Sequence, residues 1–340
     1  MWHNRPMVMF DPYTRPPPSA HRITILGGTG FVGHHLVSRL SEDGHRIKVL
    51  SRNREAHRDM LVDPNVEVVT ANVYDPQALE RNFEDVDAVI NLVGILNEKG
   101  HKGAGFQRTH VELTRAAANA AKKAGVRRFI QMSALGAALD SASHYQRTKA
   151  EAEKVLKDEA GALDVTIFRP STMFGEHDTF INRFAKLLGR VPVAFPLACA
   201  GAKFAPVYVK DVVEAYARAL DNPKSHGRTY ELCGPDVLTL QEIVEYVRDL
   251  QRRRKPVVPL PDFLSKAQAY VFEFVPGKPF SLDNYRSMLR DSVCGGENGL
   301  GAFDIQPTGM EAVVPWYMTP RRSRRIYDKF RRRAGGYPRP

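Results

Sequence analysis

The feature that most limits what this chain can fold into is the run Gly27-Gly28-Thr29-Gly30-Phe31-Val32-Gly33. Before it stands Arg22-Ile23-Thr24-Ile25-Leu26, an apolar, β-branched run that reads as a buried strand. After it, from Phe31 to Leu40, apolar Phe31, Val32, Leu36, Val37 and Leu40 recur at helical spacing. Strand, glycine turn and helix start in that order form a dinucleotide-binding unit. Gly27 permits the tight turn, Gly30 lets backbone approach a pyrophosphate, and Gly33 lets the helix pack close to the strand. The helix N-terminus offers unpaired N–H groups and partial positive charge to phosphates. Gly27, Thr29, Gly30, Phe31, Val32 and Gly33 are therefore the candidate phosphate-side residues.

Downstream the strand–helix rhythm continues. Arg46-Ile47-Lys48-Val49-Leu50 is a second strand, followed by Ser51-Arg52-Asn53-Arg54 with no acid until Glu55. An NAD site places an Asp or Glu there for the ribose 2′-hydroxyl, whereas a guanidinium pairs with a 2′-phosphate. The missing acid and Arg52 favour NADP(H) over NAD(H). Val66 to Val69 is a third strand and Val86 to Val93 a fourth, leading into Asn91-Leu92-Val93-Gly94, where Val93 and Gly94 are cofactor candidates. A long, alanine-rich amphipathic helix is expected from about Phe106 to Ala124, and a fifth strand, Arg128 to Met132, delivers Ser133 at its carboxyl end. Alternation of this kind gives a parallel sheet with right-handed crossovers, binding ligands beyond the carboxyl ends of its strands. The fold class is α/β: a Rossmann-type, doubly wound parallel sheet with a smaller C-terminal α/β domain on the substrate side.

Tyr145 and Lys149 lie four apart in a strongly helical context and so share one face. A phenol is a poor acid or base near neutrality, and a neighbouring ammonium favours its phenolate. The pair can then exchange a proton with a substrate oxygen while a nicotinamide gives or takes hydride, with Ser133 bonding the same oxygen. Ser133, Tyr145 and Lys149 are the candidate catalytic residues, Lys149 doubling as a holder of ribose hydroxyls. The same pocket can also hold a dinucleotide without turnover.

The second half is less regular. Asp211 is expected to cap a helix, and Thr239-Leu240-Gln241-Glu242 has the capping-box pattern. Phe263, Tyr270, Val271, Phe272, Phe274 and Val275 read either as core packing or as a partner- or membrane-facing surface. The net charge is +11, of which +8 lies between Arg321 and Pro340. This basic tail reads first as a flexible charged terminus, and otherwise as a segment for an anionic membrane surface; no nucleic-acid module accompanies it. Three cysteines, Cys199, Cys233 and Cys294, indicate neither a disulfide framework nor a metal site, so a reducing compartment is expected. The expected organisation is a disordered leader over 1–20, a dinucleotide-binding domain over 21–175 completed by parts of 204–234, a smaller substrate or partner domain over 176–318, and the basic tail over 319–340.

These motifs resemble the extended and atypical short-chain dehydrogenase/reductase superfamily over roughly residues 22–260. Ser133 with Tyr145-x-x-x-Lys149 resembles its active-site triad. Arg169-Pro170 with Phe174-Gly175 resembles a segment that lies near the nicotinamide, which makes Pro170 a cofactor candidate, while Arg169 reads equally well as a structural ion pair. Relatives often carry an Asp on the adenine amine where Asn72 stands, and the Asn72 oxygen can accept the same bond. Gly27 to Gly33, Asn91 to Gly94, Met132 to Ala137 and Tyr145 to Glu151 resemble one branch, that of the NAD(P)H-binding accessory subunit of respiratory complex I and its bacterial relatives. Sugar-nucleotide epimerases and dehydratases usually place the Ser further before the Tyr. The resemblance implies a dinucleotide held structurally, a respiratory membrane complex as partner, a link to respiratory-chain or quinone metabolism, and a cytoplasmic location peripheral to the inner membrane. The alternative is a free NADP-dependent reductase or NAD-dependent epimerase/dehydratase using Tyr145 and Lys149. Substrate and oligomeric state are not legible.

Overall fold

The computed structural model describes residues 20–318, apart from 160 and 277, so the expected basic tail and all but the last residue of the leader lie outside the described residues. The chain runs β1 (Arg22–Leu26), α1 (Phe31–Glu42), β2 (Arg46–Ser51), β3 (Val66–Thr70), α2 (Pro76–Phe83) and β4 (Ala88–Asn91). Then come α3 (Ala104–Phe106), a π-helical turn (Gln107–Glu112), α4 (Leu113–Lys123), β5 (Arg128–Met132), α5 (His144–Lys157) and β6 (Asp164–Pro170). The long helix expected after β4 is thus present but interrupted by the π turn. Beyond it lie β7 (Met173–Phe174), α6 (Ile181–Arg190), β8 (Phe195–Leu197), β9 (Lys203–Phe204), β10 (Val207–Tyr208), α7 (Val209–Leu220) and β11 (Arg228–Leu232). The described chain closes with β12 (Leu238–Thr239), α8 (Leu240–Leu250), β13 (Val257–Pro259), α9 (Asp262–Phe272), α10 (Leu282–Ser287) and α11 (Met310–Met318).

Seven strands form one sheet in the order β11-β6-β5-β4-β1-β2-β3, and every ladder in it is parallel. Strands buried on both faces need apolar side chains on both, and β1 shows it: Ile23 and Ile25 join one core cluster and Leu26 the other. On the first face, α1 and α7 pack over the sheet through Leu36, Leu40, Val212 and Tyr216. On the second, α2, α4 and α5 pack through Leu79, Phe83, Ala117, Ala121 and Leu156. A fully buried Leu or Phe of this kind stabilises by about 1.5–3 kcal/mol. A third cluster joins α6, α8 and α11 through Leu188, Ile243, Val247 and Val314.

The strand order reverses between β1 and β4, so a crevice opens beyond their carboxyl ends. Both the glycine run after β1 and Val93-Gly94 after β4 lie there.

Two expectations are corrected. Tyr208, not Asp211, is the N-cap of α7. Asp211 sits in the first turn and accepts bonds from the Thr308 N–H and Oγ1, so a distant loop claims its carboxylate. Cys233 and Cys294 form a disulfide across 61 residues, against the expectation of no disulfide. The segment after residue 292 folds back along β11, where the Asn298 side chain bonds both the N–H and C=O of Cys233. The Thr239–Glu242 capping box is present.

Candidate functional site

The glycine side of the crevice is made by backbone. Gly27 has φ of +78°, and a Cβ there would stand 3.1 Å from the Val93 nitrogen. Gly33 meets the first turn so closely that a Cβ would lie 2.4 Å from both C and O of Gly28. Gly30 is the N-cap of α1 with no side-chain cap, and no acid stands in the first turn. The leading N–H groups of α1 are therefore open to an anion. Asn91 braces the neighbouring loop: its Oδ1 accepts from the Val93 N–H, while its Nδ2 donates to Gln131 and Thr114. Arg52 stands exposed just past β2, and Asn72 is exposed past β3 with its Oδ1 accepting from the Tyr74 N–H. Pro170 ends β6, buried and in register with Leu232 of β11.

The opposite side is made by side chains. Ser143 caps α5, and the helix places Tyr145 in its first turn and Lys149 in its second. Lys149 is only 3% exposed. Its Nζ donates to the Met132 carbonyl at 3.1 Å, leaving two of its three donors without a protein partner. A Cβ on Gly94 would stand 3.2 Å from this Nζ. Burial draws the ammonium down to about 8, against the pull of Glu153. A buried cation with unused donors beside a glycine fits hydroxyls of a ribose.

Around Tyr145 the setting favours the neutral phenol. Burial pushes the phenol up to about 12, and the charge of Asp283 adds to the shift. Its ring stands edge-on to Phe106 and His110, at 6.1 and 5.5 Å between centroids. Ser133 is likewise engaged. Its hydroxyl donates to Glu153 Oε1 at 2.6 Å, and Arg169 grips the same carboxylate through two bonds. Of the two readings of Arg169, the ion pair is the one present. The structure thus brings Tyr145 and Lys149 to the crevice but turns the Ser133 hydroxyl into a buried ion-pair network.

His110, in the π turn, is central and was not singled out from the sequence. It is buried, and its Nε2 accepts from the Ile95 N–H at 3.2 Å. Its Nδ1 must then carry the proton and donates to Thr148 Oγ1 at 2.9 Å. Burial, with Lys149 nearby, pulls the imidazole down to about 2, so the ring is a neutral strut between the loop after β4 and α5. A lone histidine in an alanine-rich helix carries no spacing signal that would have revealed this.

The aromatic stretch of the C-terminal region is largely outside the core. Phe263, Tyr270 and Phe274 are 69%, 59% and 65% exposed along α9 and the turn after it. Among the described residues no helix is long and apolar enough to cross a membrane.

A family model described as the NAD dependent epimerase/dehydratase family matches residues 23–233. A protein of Arabidopsis thaliana named "NADH dehydrogenase [ubiquinone] 1 alpha subcomplex subunit 9, mitochondrial" is 35% identical over 280 residues, which are 79% of this chain and 68% of that protein. A ceramide reductase of Caulobacter vibrioides is 33% identical over 227 residues, 67% of this chain and 65% of that protein. Among solved structures, a dTDP-glucose 4,6-dehydratase from Streptomyces venezuelae with NAD and TYD bound has a TM-score of 0.67 at 22% identity, over 90% of this chain and 98% of that one. That likeness shows the fold.

Proposed function

The chain belongs to the NAD dependent epimerase/dehydratase family, and from that premise we propose that it keeps a nicotinamide dinucleotide bound without steady turnover, as a peripheral subunit of a respiratory membrane assembly. The observation that carries this reading is the contrast within the site. The glycine turn leaves room for an anion, while the Ser133 hydroxyl is committed to Glu153 and burial favours the neutral Tyr145 phenol, pushed up to about 12. Efficient proton transfer needs a group with its pKa near the working pH. The relative at 35% identity, named as a subunit of an NADH dehydrogenase, supports the assembly.

In this reading Gly27, Thr29, Gly30, Phe31, Val32 and Gly33 surround the pyrophosphate. Asn72 bonds the adenine, and Val93, Gly94, Lys149 and Pro170 line the nicotinamide half. Exposed Arg52, with no acid at that point, favours the 2′-phosphate of NADP(H) over NAD(H). When bound, the nucleotide would supply a hydride. The exposed ridge of Phe263, Tyr270 and Phe274, with the +8 charge of residues 321–340, is the surface for the membrane assembly or its anionic lipid. The location is the cytoplasmic face of an inner membrane, where the Cys233–Cys294 bond would have to resist a reducing thiol pool.

A second reading is favoured by the Tyr145–Lys149 pair and by the ceramide reductase among the relatives. It is a free NADP-dependent reductase, or an NAD-dependent epimerase/dehydratase, with Tyr145 as proton donor, Lys149 as its partner and Ser133 released onto the substrate oxygen. The deciding experiment is native purification with the tail intact, followed by identification of the bound nucleotide and of co-purifying proteins. Retained NADP(H), membrane partners and no oxidation of NADPH by carbonyl substrates are expected. Oxidation that disappears in Tyr145→Phe decides for the second reading.

A further inference from the structure

We propose that Asp283 is a positioning residue for the nucleotide site, gripping the first turn of α5 and so setting where Tyr145 and then Lys149 stand. Asp283 lies on α10, beyond the residues matched by the family model. Its Oδ1 accepts from the His144 N–H at 2.6 Å, and its Oδ2 accepts from the Tyr145 N–H at 3.1 Å and from Ser143 Oγ at 2.8 Å. Two of the four N–H groups that an α-helix leaves unpaired at its start are thereby taken, and a carboxylate faces the positive end of the helix. The helix's own cap, Ser143 Oγ to the Gln146 N–H, is longer at 3.3 Å.

The grip is held on several sides. Gln146 Nε2 donates to the Ser287 carbonyl, and Asn284 Nδ2 to the Leu96 carbonyl. Lys278 Nζ reaches the Gly100 carbonyl and Glu273. Glu273 also accepts from the Leu282 N–H and pairs with His101. Glu273, Lys278, Asp283, Asn284 and Ser287 therefore bind the loop after β4 and the start of α5 together, the two pieces that flank Gly94 and Lys149. Between them lies a cavity of about 190 Å³, lined by Phe106, His144, Tyr270, Phe274, Asp283 and Arg286 among others. Tyr145 lies in the turn that Asp283 holds, whereas Lys149 is one turn further on. Loss of the grip should displace the phenol more than the ammonium.

The inference rests on a nucleotide lying against this edge, so the test has one arm that needs no nucleotide. In the full-length protein, amide hydrogen exchange over residues 143–148 is compared in wild type, Asp283→Ala and Asp283→Asn. Exchange there should quicken by roughly fivefold to tenfold in Asp283→Ala, the scale of a lost helix cap, and by less in Asp283→Asn, which keeps one acceptor. Exchange in β1, β4 and β5 should stay unchanged. In the second arm NADPH affinity should fall by a similar factor in Asp283→Ala, with altered nicotinamide fluorescence. Unchanged exchange at α5, or equal acceleration throughout the sheet, overturns the proposal. Faster exchange with unaltered NADPH affinity and emission also overturns it, since Asp283 would then be a cap alone. Failure of wild type to bind NADPH defeats the reading of the site, while the exchange arm still decides whether Asp283 holds α5.

Discussion

The two sides of the crevice are built on different principles. On the glycine side, backbone meets backbone: Gly33 against Gly28 and Gly27 against Val93 leave room for one arrangement. On the α5 side, each side chain takes its place from a partner brought in from elsewhere: Ser133 from Glu153, His110 from Thr148, the start of the helix from Asp283. A side fixed by main-chain sterics is present whenever the sheet forms. A side fixed by borrowed partners can be reset by moving one of them, and the two proposed readings of the site differ in whether Ser133 stays with Glu153.

Substitutions separate the two. The largest effect is expected from Gly33→Val. Its Cβ would meet Gly28 backbone, so folding stability should fall by about 3 kcal/mol or more and nucleotide retention should vanish, read by thermal unfolding and nucleotide extraction. Gly30→Ala is the contrast, because only the Gly27 oxygen lies near, at 3.3 Å. That variant should fold as wild type and lose affinity alone.

On the other side, Lys149→Met should weaken NADPH binding by tenfold or more while raising stability at pH 7. The Lys149 ammonium is drawn from 10.5 to about 8, so between those values the folded protein holds fewer protons than the unfolded chain. Wild type should therefore regain stability relative to the variant as pH rises through that window, by roughly 2–3 kcal/mol in denaturant titrations. His110→Gln acts at the opposite end of the scale. Below pH 6.5 the unfolded imidazole takes a proton that the folded one refuses until about pH 2. Wild type should lose roughly 1.2 kcal/mol between pH 6 and 5 that the variant does not lose.

Arg52→Asp should leave stability alone and shift the ratio of NADPH to NADH affinity about tenfold toward NADH, measured by fluorescence titration. The smallest effect on the crevice is expected from Cys294→Ser. Asn298 and the Gly299 N–H, which donates to the Glu231 carbonyl, hold the same segment to β11. Nucleotide affinity should stay unchanged, while unfolding stability falls by about 2–4 kcal/mol, because the bond closes a long loop in the unfolded chain.

The same division explains what was legible in the sequence. The glycine run, the parallel strands and the Thr239–Glu242 box are local: sterics, burial on both faces and a three-residue spacing announce them. The partners of the α5 side are not local. Glu153 lies 20 residues from Ser133, Thr148 lies 38 from His110, and Asp283 lies 140 from Ser143. No periodicity links such pairs, and the π turn that aims His110 at Ile95 leaves no mark in composition. Residue types at the site were readable, while the direction in which each hydroxyl or carboxylate turns was not. Asp211 is the same case on a small scale, since its carboxylate answers to Thr308.

One ladder at the edge of the sheet governs how the molecule is made. β11 lies against β6 in register from Arg228 with Thr166 to Leu232 with Pro170, so the seventh strand arrives some sixty residues after its neighbour. While the chain is being synthesised, β6 is an open edge with unpaired N–H and C=O groups until residue 232 has left the ribosome. The nascent chain thus passes through an interval in which the nucleotide cradle is already encoded but its sheet can still pair with a stranger. Slowing elongation before residue 228, or truncating there, should expose that interval as aggregation.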